Sequence, residues 1–70
     1  MSVTVSINGA HHDLPDHGTV LDAIAALGIG PETPGVAVAV DSEVVPRQRW
    51  GTRALSAGVQ IEVVRAAAGG

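Results

Sequence analysis

Apolar and polar positions alternate from the start of the chain. Val3, Val5 and Ile7 are interleaved with Ser2, Thr4 and Ser6, a period of two that predicts a strand with one buried face. Asn8-Gly9 follows at once, a pair that accepts positive φ at both positions and so predicts a tight hairpin. The return strand is shorter, Ala10 to Leu14, and Pro15-Asp16-His17-Gly18 has the composition of a turn. The period then changes. Val20, Ile24 and Leu27, with Leu21 beside them, form the apolar stripe of a two-turn helix. Thr19 stands at its N-cap position with Asp22 three residues on, a weakened capping box, and Gly28 suits its C-terminal end.

Pro31 and Pro34 make the stretch from Gly30 to Gly35 a loop. Beyond it Val36, Val38 and Val40 alternate with Ala37 and Ala39, so the next strand is apolar on both faces, as expected of a central strand. Asp41-Ser42 makes a turn into Glu43-Val44-Val45, a short edge strand stopped by Pro46. Arg47 to Leu55 has no period; Trp50 and Leu55 are its apolar anchors, and Trp50, the only aromatic residue, is assigned to filling the core, the alternative being a surface anchor for a partner together with Arg47 and Arg49. Ser56-Ala57-Gly58 turns into the last strand, Val59 to Val64, with Val59, Ile61 and Val63 inward and Gln60, Glu62 and Val64 outward. The order is ββαβ(β)β with one main helix. Packing that helix on one face of a mixed four- to five-stranded sheet, with the first and last strands adjacent in the middle, is the economical arrangement. The expected class is α+β, a β-grasp domain over residues 1–65 with a flexible tail over 66–70.

Composition narrows the chemistry. Seventy residues form one domain that buries only about 60% of its unfolded surface. A core of that size supports roughly 3–5 kcal/mol and leaves little volume for a deep, dry pocket, which weighs against a self-contained enzyme. The apolar fraction of 46% excludes disorder. There is no cysteine, hence no disulfide scaffold, thiolate nucleophile or Cys-ligated zinc. A net charge of −3 without basic clusters argues against nucleic acid. No apolar run approaches a membrane span and no signal-peptide pattern precedes the first strand, so a cytoplasmic location is expected. All four cations are arginines, Arg47, Arg49, Arg53 and Arg65, and lysine is absent.

His11 and His12 are neighbours on a strand and point to opposite faces, so with His17, Asp13 and Asp16 nearby they still offer no metal site. No Ser/His/Asp spacing suggests nucleophilic catalysis, and the glycine-containing loops match no phosphate-binding pattern. What remains is the terminus, Ala66-Ala67-Ala68-Gly69-Gly70.

Three stretches make that ending specific. They are Val3-x-Val5-x-Ile7-Asn8-Gly9, Val38-Ala39-Val40 followed by Val44-Val45-Pro46-Arg47-x-x-Trp50, and Gly58 to the terminal diglycine. Together they span the chain, which resembles the ubiquitin-like sulfur carriers, those of the ThiS type in thiamine (thiazole) biosynthesis above all. Two departures stand out. Family members often carry Asp-Gly-Asp where this chain has Ala57-Gly58-Val59, and a bulkier apolar residue where it has only alanines before the glycines.

The resemblance implies a protein co-substrate, not an enzyme. Gly70 would be the covalent site, its carboxylate adenylated and converted to a thiocarboxylate. An E1-like, ThiF-like adenylyltransferase would consume the ATP, a cysteine desulfurase would supply sulfur, and a ThiG-like thiazole synthase would accept it; the carrier itself would bind no cofactor. Gly69 would give steric permission, and Ala66, Ala67 and Ala68 would be a spacer that reaches roughly 15 Å with the glycines. Val64 and Arg65, with Arg47 and Arg49, are candidates for the partner surface, and the free carrier is expected to be a monomer. Two other readings stay open. One is a sulfur carrier for another pathway, similar to the small subunit of molybdopterin synthase or serving cysteine or another sulfur metabolite. The other is a non-covalent ubiquitin-like interaction module whose tail is inert.

Overall fold

Among the described residues, five strands form one mixed sheet and a single α-helix lies against one of its faces. The computed structural model describes residues 1–66. In chain order the elements are β1 (Ser2–Ile7), β2 (Ala10–Pro15), α1 (Val20–Ala26), β3 (Val36–Val40), β4 (Glu43–Val45), a 3-10 turn (Arg47–Arg49) and β5 (Gln60–Arg65). The strand order is β2-β1-β5-β3-β4, with β1 and β5 parallel and the other neighbours antiparallel. The first and last strands are thus adjacent within the sheet, as the β-grasp order requires.

The turns explain why the chain folds this way. Asn8 and Gly9 take φ of 52° and 85°, which reverses β1 into β2 with Ile7 opposite Ala10. At the helix N-terminus the Asp22 carboxylate accepts from the Thr19 N–H at 2.8 Å, so the capping box forms with aspartate. At the other end Ile29 N–H donates to Ile24 O and Gly28 N–H to Ala25 O, a Schellman ending that returns Ile29 to the core.

The sheet and helix bury an entirely apolar set. Val5, Ile7, Leu14, Val38, Val40, Ile61 and Val63 pack from the sheet, and Val20, Ala23 and Ile24 meet them from α1. Three details differ from the sequence pattern. Leu21 is not part of the stripe; it sits on the flank of α1 and stays exposed, because a helix of about two turns offers only a narrow buried face. β5 begins and ends one residue later than the apolar pattern suggests, since Arg65 still pairs with Val36. β3 is interior in its hydrogen bonding but covered on one side only: Val38 and Val40 are buried, while Ala37 is exposed on the other face.

The segment without a period has a defined job. Trp50 is buried, and its indole N–H donates to Val45 O at 2.9 Å. Trp50 O accepts from Leu21 N–H and Arg53 O from Val20 N–H, so two donors at the start of α1 find partners in this segment. Trp50 therefore fills the core, as expected, and its segment also caps the helix.

Candidate functional site

The C-terminal end of β5 leads in sequence to the candidate site residues, and the fold holds that strand on both sides. On the β1 side, Ser6 N–H donates to Val59 O and Asn8 N–H to Ile61 O. The Asn8 side chain then continues the ladder beyond the end of β1. Its Nδ2 donates to Val63 O at 3.1 Å, and its Oδ1 accepts from Val63 N–H at 2.8 Å. An asparagine in a hairpin turn thereby stands in for a strand residue, a role invisible in the Asn-Gly turn signal.

On the β3 side, pairing runs from Val40↔Ile61 to Val36↔Arg65. One further bond extends it: Ala66 N–H donates to Gly35 O at 2.8 Å. Ala66, assigned by its sequence to the tail, is thus still tied to the sheet. Ala67, Ala68, Gly69 and Gly70 lie outside the described residues.

The face of the sheet away from α1 divides in two. Over β2 and β1 it is polar: Thr4 Oγ1 donates to Asp13 Oδ1 at 2.7 Å, and a groove of about 430 Å³ is lined in part by Thr4, Ser6, His11 and Gln60. His11 and His12 oppose Ser6 and Val5, so their side chains leave from opposite faces of β2. Over β5, β3 and β4 the face is mostly apolar, with Glu62, opposite Ala39, as a charged neighbour. Val64 stands opposite Ala37, and Val44 opposite Ala39. Val64 is 62% exposed and Val44 72%, unusually open for valine. Val64 was legible in the sequence as the outward valine of the last strand. Val44, Ala37 and Ala39 were not, because only the register joins them to it.

The four residues expected at a partner surface do not share one. Arg65 follows Val64 and so leaves from the opposite face of β5. Arg47 is engaged within the fold: its guanidinium donates to Pro31 O and to Thr33 O, the latter at 2.8 Å, and lies 4.4 Å from the centre of the Trp50 ring. It ties the 3-10 turn to the loop before β3. Arg49 is exposed on the same turn. No helix among the described residues is long and apolar enough to cross a membrane.

A single-helix β-grasp domain whose last strand leads to a diglycine defines the ubiquitin-like class. Comparison with known proteins makes this specific: the ThiS family model matches residues 3–70, and the chain belongs to the ThiS family of ubiquitin-like sulfur carriers. Its fold is similar to the crystal structure of a thiamine biosynthesis protein (ThiS) from Geobacter metallireducens. The TM-score is 0.75 at 20% sequence identity, covering 97% of this chain and 100% of that one. No curated protein sequence matches the chain significantly.

Proposed function

We propose that this carrier serves thiazole formation in thiamine biosynthesis, with the carboxylate of Gly70 as its covalent site. The observation that carries this reading is the family match, which extends to Gly70 and so includes the diglycine. The thiamine biosynthesis protein of similar fold supports the same pathway.

A free carboxylate repels sulfur nucleophiles and has no useful leaving group. A ThiF-like adenylyltransferase joins a Gly70 carboxylate oxygen to the α-phosphorus of ATP and releases pyrophosphate. Sulfide then attacks the carbonyl carbon; the carbon–sulfur bond forms, the bond to the phosphate oxygen breaks, and AMP leaves a thiocarboxylate. Persulfide sulfur from a cysteine desulfurase enters by the same attack, and a thiol reduces the resulting acyl disulfide. A ThiG-like thiazole synthase takes the sulfur. The carrier is a co-substrate throughout, and the ATP is bound and consumed by its partner.

The side chains of this chain contribute docking. Ordering the tail costs roughly 1–2 kcal/mol per residue in backbone entropy, which contacts of the folded domain must offset. Val44 and Val64, with Ala37 and Ala39 between them, form the exposed apolar strip suited to this, and Val64 lies on the strand that leads to Gly70. Alanines and glycines after it add little side-chain entropy to the cost.

Incubation with ATP, sulfide and the ThiF-like enzyme of the same cell tests the reading by intact mass. The expected gain is that of sulfur replacing one oxygen. Deleting Gly70 should abolish it while leaving the thermal unfolding midpoint unchanged. An unaltered mass with every adenylyltransferase of this class from that cell would refute the proposal.

A further inference from the structure

Four glycines of the described chain take positive φ, and one of them differs from the rest. Gly9, Gly28 and Gly58, at φ of 85°, 76° and 84°, have nothing within 4 Å of the place a Cβ would occupy. Gly35, at φ of 76°, does not have that room. A Cβ there would lie 3.2 Å from Ala66 Cβ and 3.7 Å from Ala66 N and O. Gly35 is also the residue whose carbonyl accepts from Ala66 N–H, one step beyond the last Val36↔Arg65 pair. A chain reversal alone requires only the left-handed backbone. The close approach to Ala66 is an additional constraint, and it falls where the chain leaves the sheet.

We propose that Gly35 is a positioning residue for acyl transfer. By holding Ala66 it sets the origin from which the remaining residues carry the Gly70 carboxylate into the partner's nucleotide site. The inference rests on the carrier reading above. Four residues follow Ala66, giving a maximal reach of about 13–14 Å. Losing the rung at Ala66 moves the origin back to Arg65 and lengthens that reach by about 3.3–3.6 Å. A longer tether spreads the carboxylate over a larger volume and lowers its effective concentration at the α-phosphorus. Misplacement of the reacting atoms by about 1 Å can cost on the order of 100-fold in rate.

Two substitutions remove the rung from opposite sides. Gly35→Ala crowds Ala66 and strains the turn; Ala66→Pro deletes the donor and leaves Gly35 intact. ATP–pyrophosphate exchange by the ThiF-like enzyme, measured against carrier concentration, separates docking from positioning. Both variants should lower kcat about tenfold or more while KM for the carrier stays within about twofold, because the apolar strip is untouched. Amide exchange at Ala66 should lose protection in Gly35→Ala while Ile61 and Val63 keep theirs. Removing Ala67 from the Gly35→Ala protein restores a four-residue reach from Arg65 and should recover much of the lost kcat. The same deletion in the unaltered protein should lower it. An unchanged kcat in both variants overturns the positioning role and leaves the carrier reading standing. So does a loss that shortening does not rescue, accompanied by lost protection at Ile61 and Val63. If the unaltered protein supports no exchange, the carrier reading and this inference fall together.

Discussion

The two faces of β3 come from five consecutive residues and differ in what they bury. Towards α1 the strand presents Val36, Val38 and Val40, the last two almost fully enclosed. Away from α1 it presents Ala37 and Ala39, flanked across the register by Val64 and Val44. The covered face joins large side chains to a helix. The uncovered face sets two alanines between exposed Val64 and Val44, with Glu62 beside Ala39. Burial on the first face stabilises the fold, whereas the second leaves apolar surface exposed, the surface proposed above for docking. Changes on the covered face should therefore act on stability and leave docking intact in whatever remains folded, and changes on the uncovered face should do the reverse.

The most severe test of that division is Trp50→Ala. It removes the largest buried side chain, the bond to Val45 O and the surface under Arg47. The expected loss is about 3–5 kcal/mol, comparable to the whole stability of a domain this small. Circular dichroism should show a chain unfolded, or at the edge of unfolding, without denaturant. On the uncovered face, Val44→Asp combined with Val64→Asp should weaken association with the activating enzyme by about 10- to 100-fold, equivalent to about 1.4–2.8 kcal/mol. The denaturation midpoint should hardly move, since both side chains are already exposed. Calorimetric titration and urea unfolding on the same protein would break the comparison if both measurements changed together.

Asn8→Ala is the smallest of the three and sharpens the boundary between faces and edges. Its amide replaces strand pairing at Val63, so its loss leaves a part-buried donor and acceptor and should cost about 1–3 kcal/mol. Hydrogen exchange at the Val63 amide should accelerate, with docking to the partner unaffected.

Much of this was legible in the residues. The alternation in β1, the Asn8-Gly9 turn, the Thr19–Asp22 cap and the outward Val64 each rest on neighbours within a few positions, where local geometry and period decide the outcome. The misplacement of Leu21 has the opposite cause. A helix of seven residues has too few turns for its pattern to reveal which flank meets the sheet. Arg47 shows a further limit: its spacing before Trp50 was plain, but not that the Pro31 and Thr33 carbonyls occupy its guanidinium. Those partners are 16 and 14 residues away, beyond the reach of any local rule.

By itself, the sequence determined the kind of elements, their order, and the resemblance that directs attention to the terminal diglycine. Tertiary structure alone decided which residues became neighbours. Register placed Val44 beside Ala39 and Val64 beside Ala37, turned Asn8 into a rung for Val63, and brought Gly35 against Ala66. The reason is physical. Period two states which face a residue takes, but its partner across the sheet depends on packing segments separated by many residues, and a shift of one position would reverse every assignment.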